Sequence, residues 1–202
     1  MNFLNKKSLL CIDKHTKIMN KSIKINSIVK EKKYIYENTI NFGIFDSKFG
    51  KILIACESET ENIVSIHLNK SENELINLLM NDLKPKIVIR NDNFLSEIFK
   101  NVFYPQYSEN LKIKLIGSKF EINVWEELIR IPEGQTRTYS QIASNIGSPK
   151  SVRAVASAIA RNRIAILIPC HRVISKSGKI NNYRWGVETK KKLIESENGI
   201  LQ

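Results

Sequence analysis

Apolar and polar residues follow one another along residues 37–70 in a pattern that predicts three consecutive strands. Segments 39–45 and 49–56 are rich in Ile, Leu and Phe, and turn-forming residues separate them. After a polar stretch, segment 63–68 alternates with a period of two. Because neighbouring antiparallel strands need only short connections, these segments predict a small antiparallel sheet.

After the three predicted strands, apolar residues recur at the spacing of a helix. Ser71, with Glu74 three residues later, predicts a capped helix. Its apolar stripe consists of Leu75, Leu78 and Leu79. A second helix is predicted over residues 92–104, ending before Pro105. Strands and helices together predict an N-terminal domain over residues 37–116.

The remaining residues, 117–202, predict a mainly helical domain. A capped helix is expected over residues 118–129. Two further helices, over residues 141–146 and 150–162, are separated by the turn Gly147-Ser148-Pro149. A helix, a short turn containing glycine and a second helix are the pattern of a helix-turn-helix.

The apolar run that follows, residues 164–168, is too short for a helix and predicts a buried extended segment. Pro169 and then Cys170 and His171 come directly after it. A thiol beside an imidazole in a basic region is a candidate nucleophile, because nearby cations and bases favour the thiolate. An inert buried cysteine is the alternative, and the dipeptide alone does not decide between the two.

Charge narrows the class of partner. The 202 residues contain 32 Lys and Arg against 20 Asp and Glu, which gives a net charge of +12. Residues 137–184 hold nine basic residues and no acidic residue. The surplus favours an anionic partner, either nucleic acid or an acidic membrane surface, with a biased genome composition as the alternative, and the basic stretch favours nucleic acid. The Lys- and Asn-rich residues 1–36 are expected to form a loosely ordered leader.

Three scattered cysteines do not form a disulfide framework, and no apolar run approaches the ~20 residues that span a bilayer. We therefore expect a cytoplasmic protein that does not associate with membranes. Cys11, His15, Cys56 and His67 could in principle bind a metal, but their spacing fits no compact zinc motif. No metal or other cofactor is expected.

The pentapeptide Pro169-Cys170-His171-Arg172-Val173 resembles the active-site motif of the O6-alkylguanine-DNA alkyltransferases. The resemblance extends over residues 118–197 and, in the form Asn182-Tyr183-Arg184-Trp185-Gly186, is similar to bacterial members. It implies an α+β fold of two domains. The N-terminal domain would be ribonuclease-H-like, with a small antiparallel sheet and helices, and the C-terminal domain winged-helix-like, carrying the helix-turn-helix.

The resemblance also implies roles. Cys170 would accept an alkyl group from guanine O6, chiefly methyl, once per protein molecule, with O4-methylthymine as a second candidate substrate. His171 would act as a base through a water, and Glu197 would orient the imidazole. Asn162 would bridge the helix-turn-helix to the active-site segment.

The implied partner is double-stranded DNA with an alkylated guanine, bound through its minor groove by a protein monomer. The base would be flipped out, with Arg153 filling the gap in the stack and Tyr139 pushing on the phosphate. The residues expected to contact DNA are Arg153, Tyr139, Ser140, Ser148, Lys150, Ala154, Ser157 and Lys176. The base pocket is expected to include Tyr183, Trp185, Val173 and Ser177, and Trp185 would restrict bulky alkyl groups.

Two other functions are weighed against alkyl transfer. A lesion-recognition protein of the alkyltransferase-like type would bind alkylated DNA without reacting, but such proteins carry a non-nucleophilic residue where Cys170 stands. A winged-helix regulator with an incidental thiol would not explain why the pentapeptide and Glu197 occur together.

Overall fold

The computed structural model describes residues 23–29, 37–69, 71–104, 111–180 and 182–197. Six strands form the main sheet: β1 (Ile23–Val29), β2 (Ile40–Ser47), β3 (Gly50–Glu57), β4 (Ile63–Asn69), β5 (Val88–Arg90) and β6 (Leu111–Gly117). Their order in the sheet is β1-β6-β4-β3-β2-β5. Two helices pack on this sheet: α1 (Glu72–Leu83) and α2 (Asp92–Phe103).

The three predicted strands are confirmed as the antiparallel run β2-β3-β4. The prediction of a small antiparallel sheet is wrong in extent, because the sheet is mixed. β6 runs parallel to both β1 and β4, and β5 runs parallel to β2. Parallel neighbours require long crossovers, so their pairing joins segments that are distant in sequence and leaves no local signal.

The expected leader is also corrected in part. Residues 23–29, inside the Lys- and Asn-rich segment, form β1 and pair with β6 from Ile23 opposite Leu111 to Val29 opposite Gly117. Lys24, Ile25, Ser27 and Val29 are exposed at this edge of the sheet, so the strand lacks the regular apolar alternation that would have identified it. Residues 1–22 and 30–36 lie outside the described residues.

The helical part begins immediately after β6. Ser118 caps α3 (Lys119–Ile129), as predicted, and Glu121 completes a capping box with it. The pattern of helix, turn and helix is present as α4 (Tyr139–Asn145) and α5 (Val152–Ala160). Thr138 caps α4, and Gly147 makes the turn with a φ of 72°, a backbone conformation that glycine adopts at no cost.

A second, two-stranded sheet links this helical pair to the reactive segment. β7 (Arg137–Thr138) pairs in parallel with β8 (Val173–Ile174), and a 3-10 helix over Cys170–Arg172 leads directly into β8. The last element is α6 (Val187–Ser196). No helix in the described part of the chain is long and apolar enough to cross a bilayer.

The apolar run at residues 164–168 is buried as expected, but it is not extended. Only Ile164 makes a β-bridge, to Ile66 of β4, and the chain then turns. Ile166 has a φ of 71°, a left-handed conformation that is strained for a β-branched residue. Short apolar runs are equally compatible with a strand and a buried turn, so the pattern could not distinguish them.

Trp125 connects α3 to α5 through the hydrogen bond that its Nε1 donates to the Ala158 carbonyl, at 2.9 Å. We expect Trp125→Phe to lower the free energy of unfolding by about 2 kcal/mol, because it removes this buried bond and part of the ring volume. Urea titration followed by circular dichroism measures the change. Lys119→Ala, at an exposed position on the same helix, is the control and should change stability little.

Candidate active site

Cys170 lies at the start of the 3-10 helix and is 3% exposed. The Asn162 amide holds it in place: Nδ2 donates to Cys170 Sγ at 3.0 Å and to the Ile168 carbonyl at 3.0 Å. The Asn162 Oδ1 accepts from the backbone N–H of Ile164 at 2.9 Å. Asn162, two residues after the end of α5, therefore bonds to both ends of the segment 164–170.

His171, next in the same 3-10 helix, faces the far end of α6. Its Nε2 lies 2.7 Å from Glu197 Oε1, and both side chains are buried. Since an ionised carboxylate only accepts hydrogen bonds, Nε2 carries the proton and donates it. Nδ1 is buried and has no hydrogen-bond partner within the described residues. The imidazole thus presents an unused lone pair.

Arg172 completes this arrangement, and no role was predicted for it. Its Nε and Nη2 each donate to one oxygen of Glu197, both at 2.9 Å, and Nη1 donates to the Ile131 carbonyl at 2.6 Å. The backbone N–H of Gly134 adds a long contact to Glu197 Oε2 at 3.4 Å. Two paired oxygens hold the carboxylate in a single orientation.

These contacts determine the charges of the pair. Burial opposes ionisation of Glu197, but hydrogen bonds and charges from His171 and Arg172 outweigh it and lower the pKa to about 2. Burial lowers the pKa of His171, and the positive charges of Arg172 and Lys190 lower it further. The hydrogen bond and negative charge of Glu197 raise this pKa but do not outweigh burial. The pair is therefore a carboxylate and a neutral imidazole at neutral pH.

The thiol differs from expectation. Burial raises the pKa of Cys170, although Asn162, Lys190 and Tyr183 act in the opposite direction. The sequence predicted that nearby cations would favour the thiolate, and in this structure burial is the stronger influence. Cys170 is a protonated thiol at neutral pH, so a reaction at sulfur needs a base.

Lys190 was also missed. It is 1% exposed and donates from Nζ to the Val173 carbonyl at 2.6 Å. Burial lowers its pKa to about 8, while Cys170 acts to raise it. The helical period of α6 could have identified it, because this period places Lys190 on one face with Leu193, Ile194 and Glu197. Lys190 is difficult to single out in the sequence because it is the first of three consecutive lysines.

Two tyrosines approach the thiol. The Tyr183 hydroxyl is buried without a hydrogen bond of ordinary geometry, and burial together with Cys170 raises its pKa well above the usual value. Tyr139, half-buried at the start of α4, has its pKa raised by burial and, to a smaller extent, by Cys170. Trp185 packs edge-on against Tyr183, with ring centroids 5.2 Å apart.

The other residues predicted for the pocket are divided. Val173 is fully buried and contributes its backbone carbonyl to Lys190. Ser177 is exposed, with its hydroxyl 3.0 Å from that of Ser175. The structure thus brings Tyr183, Trp185 and Val173 inside and leaves Ser177 on the surface of the loop.

The residues predicted to bind DNA lie mostly on the surface. Arg153, Ala154 and Ser157 are exposed on α5, within one turn of one another. Exposed residues at the ends and on the adjoining loops are Ser140, Lys150 and Lys176, while Ser148 is half-buried. Arg161, the other basic residue bordering this face, is ion-paired with Glu121.

The metal candidates are not brought together. Cys11 and His15 lie outside the described residues. Cys56 and His67 are fully buried, and His67 is engaged by Ser65 and Trp185. Over the described ranges there is no group of three or more side chains suited to hold a metal ion.

Comparison with known proteins places this geometry in a family. The family model for the 6-O-methylguanine DNA methyltransferase DNA-binding domain matches residues 119–199. The methylated-DNA–protein-cysteine methyltransferase of Methanosarcina acetivorans is 36% identical over 160 residues, 77% of this chain and 97% of the relative. The enzyme of that name from Kluyveromyces lactis is 31% identical over 183 residues, 79% of this chain and 97% of its own.

A solved structure agrees with these sequences. The O6-methylguanine methyltransferase of Mycobacterium tuberculosis is 27% identical and superimposes with a TM-score of 0.60, over 78% of this chain and 92% of its own. Matches of 77–79% of the chain extend well beyond the residues 119–199 that the family model covers. The chain therefore belongs to the methylated-DNA–protein-cysteine methyltransferase family.

Proposed function

We propose that this protein repairs alkylated DNA by transferring the alkyl group from O6 of guanine to Sγ of Cys170. The observation that carries the proposal is the buried array at the thiol: Cys170 held by Asn162 and, next in the chain, His171 oriented by Glu197 with Nδ1 unpaired within the described residues. The names of the relatives, which act on methylated DNA, support the substrate.

The chemistry follows from the protonation states of Cys170 and His171. The thiol proton passes through a water to Nδ1 of His171, and sulfur attacks the alkyl carbon. The S–C bond forms as the C–O6 bond breaks, and the guanine takes up the proton that His171 had accepted, so that the normal base and the neutral imidazole result. No group in the site can cleave the resulting thioether, so each protein molecule acts once.

The burial of Cys170 demands that the base come to the thiol. A guanine inside a duplex cannot reach a side chain that is 3% exposed, so the nucleotide must be flipped out of the stack. We assign α5 to the minor groove, because Ala154 and Ser157 permit close approach and Arg153 can enter the stack. Tyr139, at the start of α4 and within electrostatic range of Cys170, is assigned to the phosphate of the flipped nucleotide.

The test is mass spectrometry of the intact protein after incubation with a duplex containing one O6-methylguanine. Gain of a single methyl group on the peptide that holds Cys170, with conversion of the lesion to guanine, is the expected result. Tight binding without any change in mass would instead support a lesion-recognition protein. A parallel duplex with O4-methylthymine measures the second candidate substrate.

Arg153→Ala is expected to slow transfer from duplex DNA by about 100-fold, because the vacated position in the base stack would no longer be filled. Transfer from free O6-methylguanine base should change less than about threefold. Single-turnover rates on both substrates measure this difference.

Arg130→Ala is the matched control, since it removes the same charge from a side chain that is 74% exposed, directly after α3. Equal losses on the duplex and on the free base would contradict the stack-filling role of Arg153.

The complete array lies within one chain, so we propose that the protein acts as a monomer, which light scattering during size exclusion would check. A reactive free thiol requires a reducing compartment, which supports the cytoplasm as its location.

A further inference from the structure

The N-terminal sheet contacts the pocket loop through a polar cluster that plays no part in the chemistry described above. We propose that His67 and Asp82 position the loop 183–185 and thereby limit the size of the alkyl group that reaches Cys170. This rests on the proposed function and adds two specificity-determining residues from the N-terminal part of the chain.

The first observation is the contact of His67 with Trp185. The Trp185 indole Nε1 donates to His67 Nδ1 at 3.2 Å, so the other nitrogen, Nε2, carries the ring proton and donates to Ser65 Oγ at 2.8 Å. His67 is fully buried and Trp185 is 7% exposed. Burial and the charges of Arg184 and Arg163 lower the pKa of His67 to about 3, so it keeps this neutral tautomer at physiological pH.

The second observation is the contact of Asp82 with Arg184. Both carboxylate oxygens accept from Arg184 Nη2, at 2.7 and 2.6 Å, and Asp82 Oδ2 lies 3.4 Å from His67 Nε2. Asp82 stands in the last turn of α1, where the helix dipole disfavours a negative charge. A buried histidine in a core strand is costly as well. Asp82 therefore does not stabilise α1, and His67 does not stabilise β4, so their presence at these positions needs another explanation.

The contacts continue to the thiol. Trp185 packs edge-on against Tyr183, and the buried Tyr183 hydroxyl faces Cys170. β4 also holds the other side of the site, because the backbone of Ile66 bonds to Arg163 at 2.8 Å and to Ala165 at 3.0 Å. The same strand thus contacts both the segment before Cys170 and the loop that carries Trp185. With Trp185 fixed by His67, the large indole cannot rotate away to admit a bulky group.

The experiment compares single-turnover transfer from duplexes that carry O6-methylguanine or O6-benzylguanine. His67→Ala should slow methyl transfer by about tenfold, because the Tyr183 wall loses its fixed position, and should raise the benzyl-to-methyl rate ratio by at least about tenfold. His67→Gln, which keeps an acceptor for the indole and a donor for Ser65, should stay within about threefold of wild type on both. Asp82→Ala should shift the ratio in the same direction.

Leu75→Ala is the matched control, since it removes a fully buried side chain from the same helix as Asp82 without a polar contact to the loop. If His67→Ala, like Leu75→Ala, left the benzyl-to-methyl rate ratio unchanged, the proposal would be overturned. If the ratio rose equally in both variants, the rise would come from lost stability, and this outcome would also overturn the proposal.

A measurement independent of activity separates this proposal from the function on which it rests. The chain has two tryptophans, so its indole N–H groups give two resonances, which Trp185→Phe assigns. Hydrogen exchange of the Trp185 indole should accelerate at least about tenfold in His67→Ala but not in Leu75→Ala. Unchanged exchange would refute the hold of His67 on Trp185, whereas failure of wild-type protein to take up methyl would refute the proposed function alone.

Discussion

Cys170→Ser is expected to abolish alkyl transfer, with a loss of at least about a thousandfold, while the protein still folds and binds DNA. A serine hydroxyl is a far weaker nucleophile than a thiol, and His171 is a neutral imidazole too weak to ionise it fully. Asn162 can donate its hydrogen bond to either atom, so the segment 164–170 should keep its shape. Mass spectrometry after incubation with an O6-methylguanine duplex measures the transfer.

Cys56→Ala provides the control. Cys56 is equally buried, and burial in the sheet together with Glu61 and Glu57 raises its pKa to about 12, so it is an inert thiol. This variant should take up one methyl group at the wild-type rate. The assignment of Cys170 as acceptor would be contradicted if Cys170→Ser took up methyl. It would also be contradicted if Cys56→Ala lost methyl uptake while Cys170→Ser kept it.

Removing the base is expected to have the second-largest effect. His171→Gln should slow transfer by about 100- to 10,000-fold, because the protonated thiol then has no group to receive its proton. Glu197→Gln should slow it less, since the imidazole remains but Arg172 loses its ionic partner. Single-turnover rates at pH 7.5 measure both. Glu188→Gln, at an exposed residue of α6, should transfer at the wild-type rate.

The pH profile tests the same role. The pKa of His171 lies below its usual 6.5 because burial disfavours the charged imidazole. The base is therefore available throughout neutral pH, and the rate should stay high there and fall as pH drops below this lowered pKa, when Nδ1 becomes protonated. Above neutral pH, the transfer rate of His171→Gln should partly recover, because an ionised Cys170 thiolate needs no base. A variant rate that does not rise with pH would exclude the imidazole as the base.

Local elements could be predicted because their signals are local. The helix caps at Ser71 and Ser118, the period of two in β4 and the glycine turn after α4 depend only on residues a few positions apart. The parallel strands β1, β5 and β6 could not, since each finds its neighbour across a long connection. Composition misled at β1, where the edge position tolerates Lys and Asn.

By itself the sequence determined the reactive pentapeptide and the helix-turn-helix pattern, because a short motif and helical periods depend on residues close together in the chain, while Asn162 and Glu197 came from the resemblance to a family. Only the tertiary structure decided the protonation of the array at the thiol and its partners. Arg172 holds Glu197, Lys190 is buried behind Val173, and His67 holds Trp185, each across at least 17 positions of chain. The physical reason is that burial and electrostatic environment are sums over neighbours supplied by distant segments, so the thiol of Cys170 is protonated even though its sequence neighbours are basic.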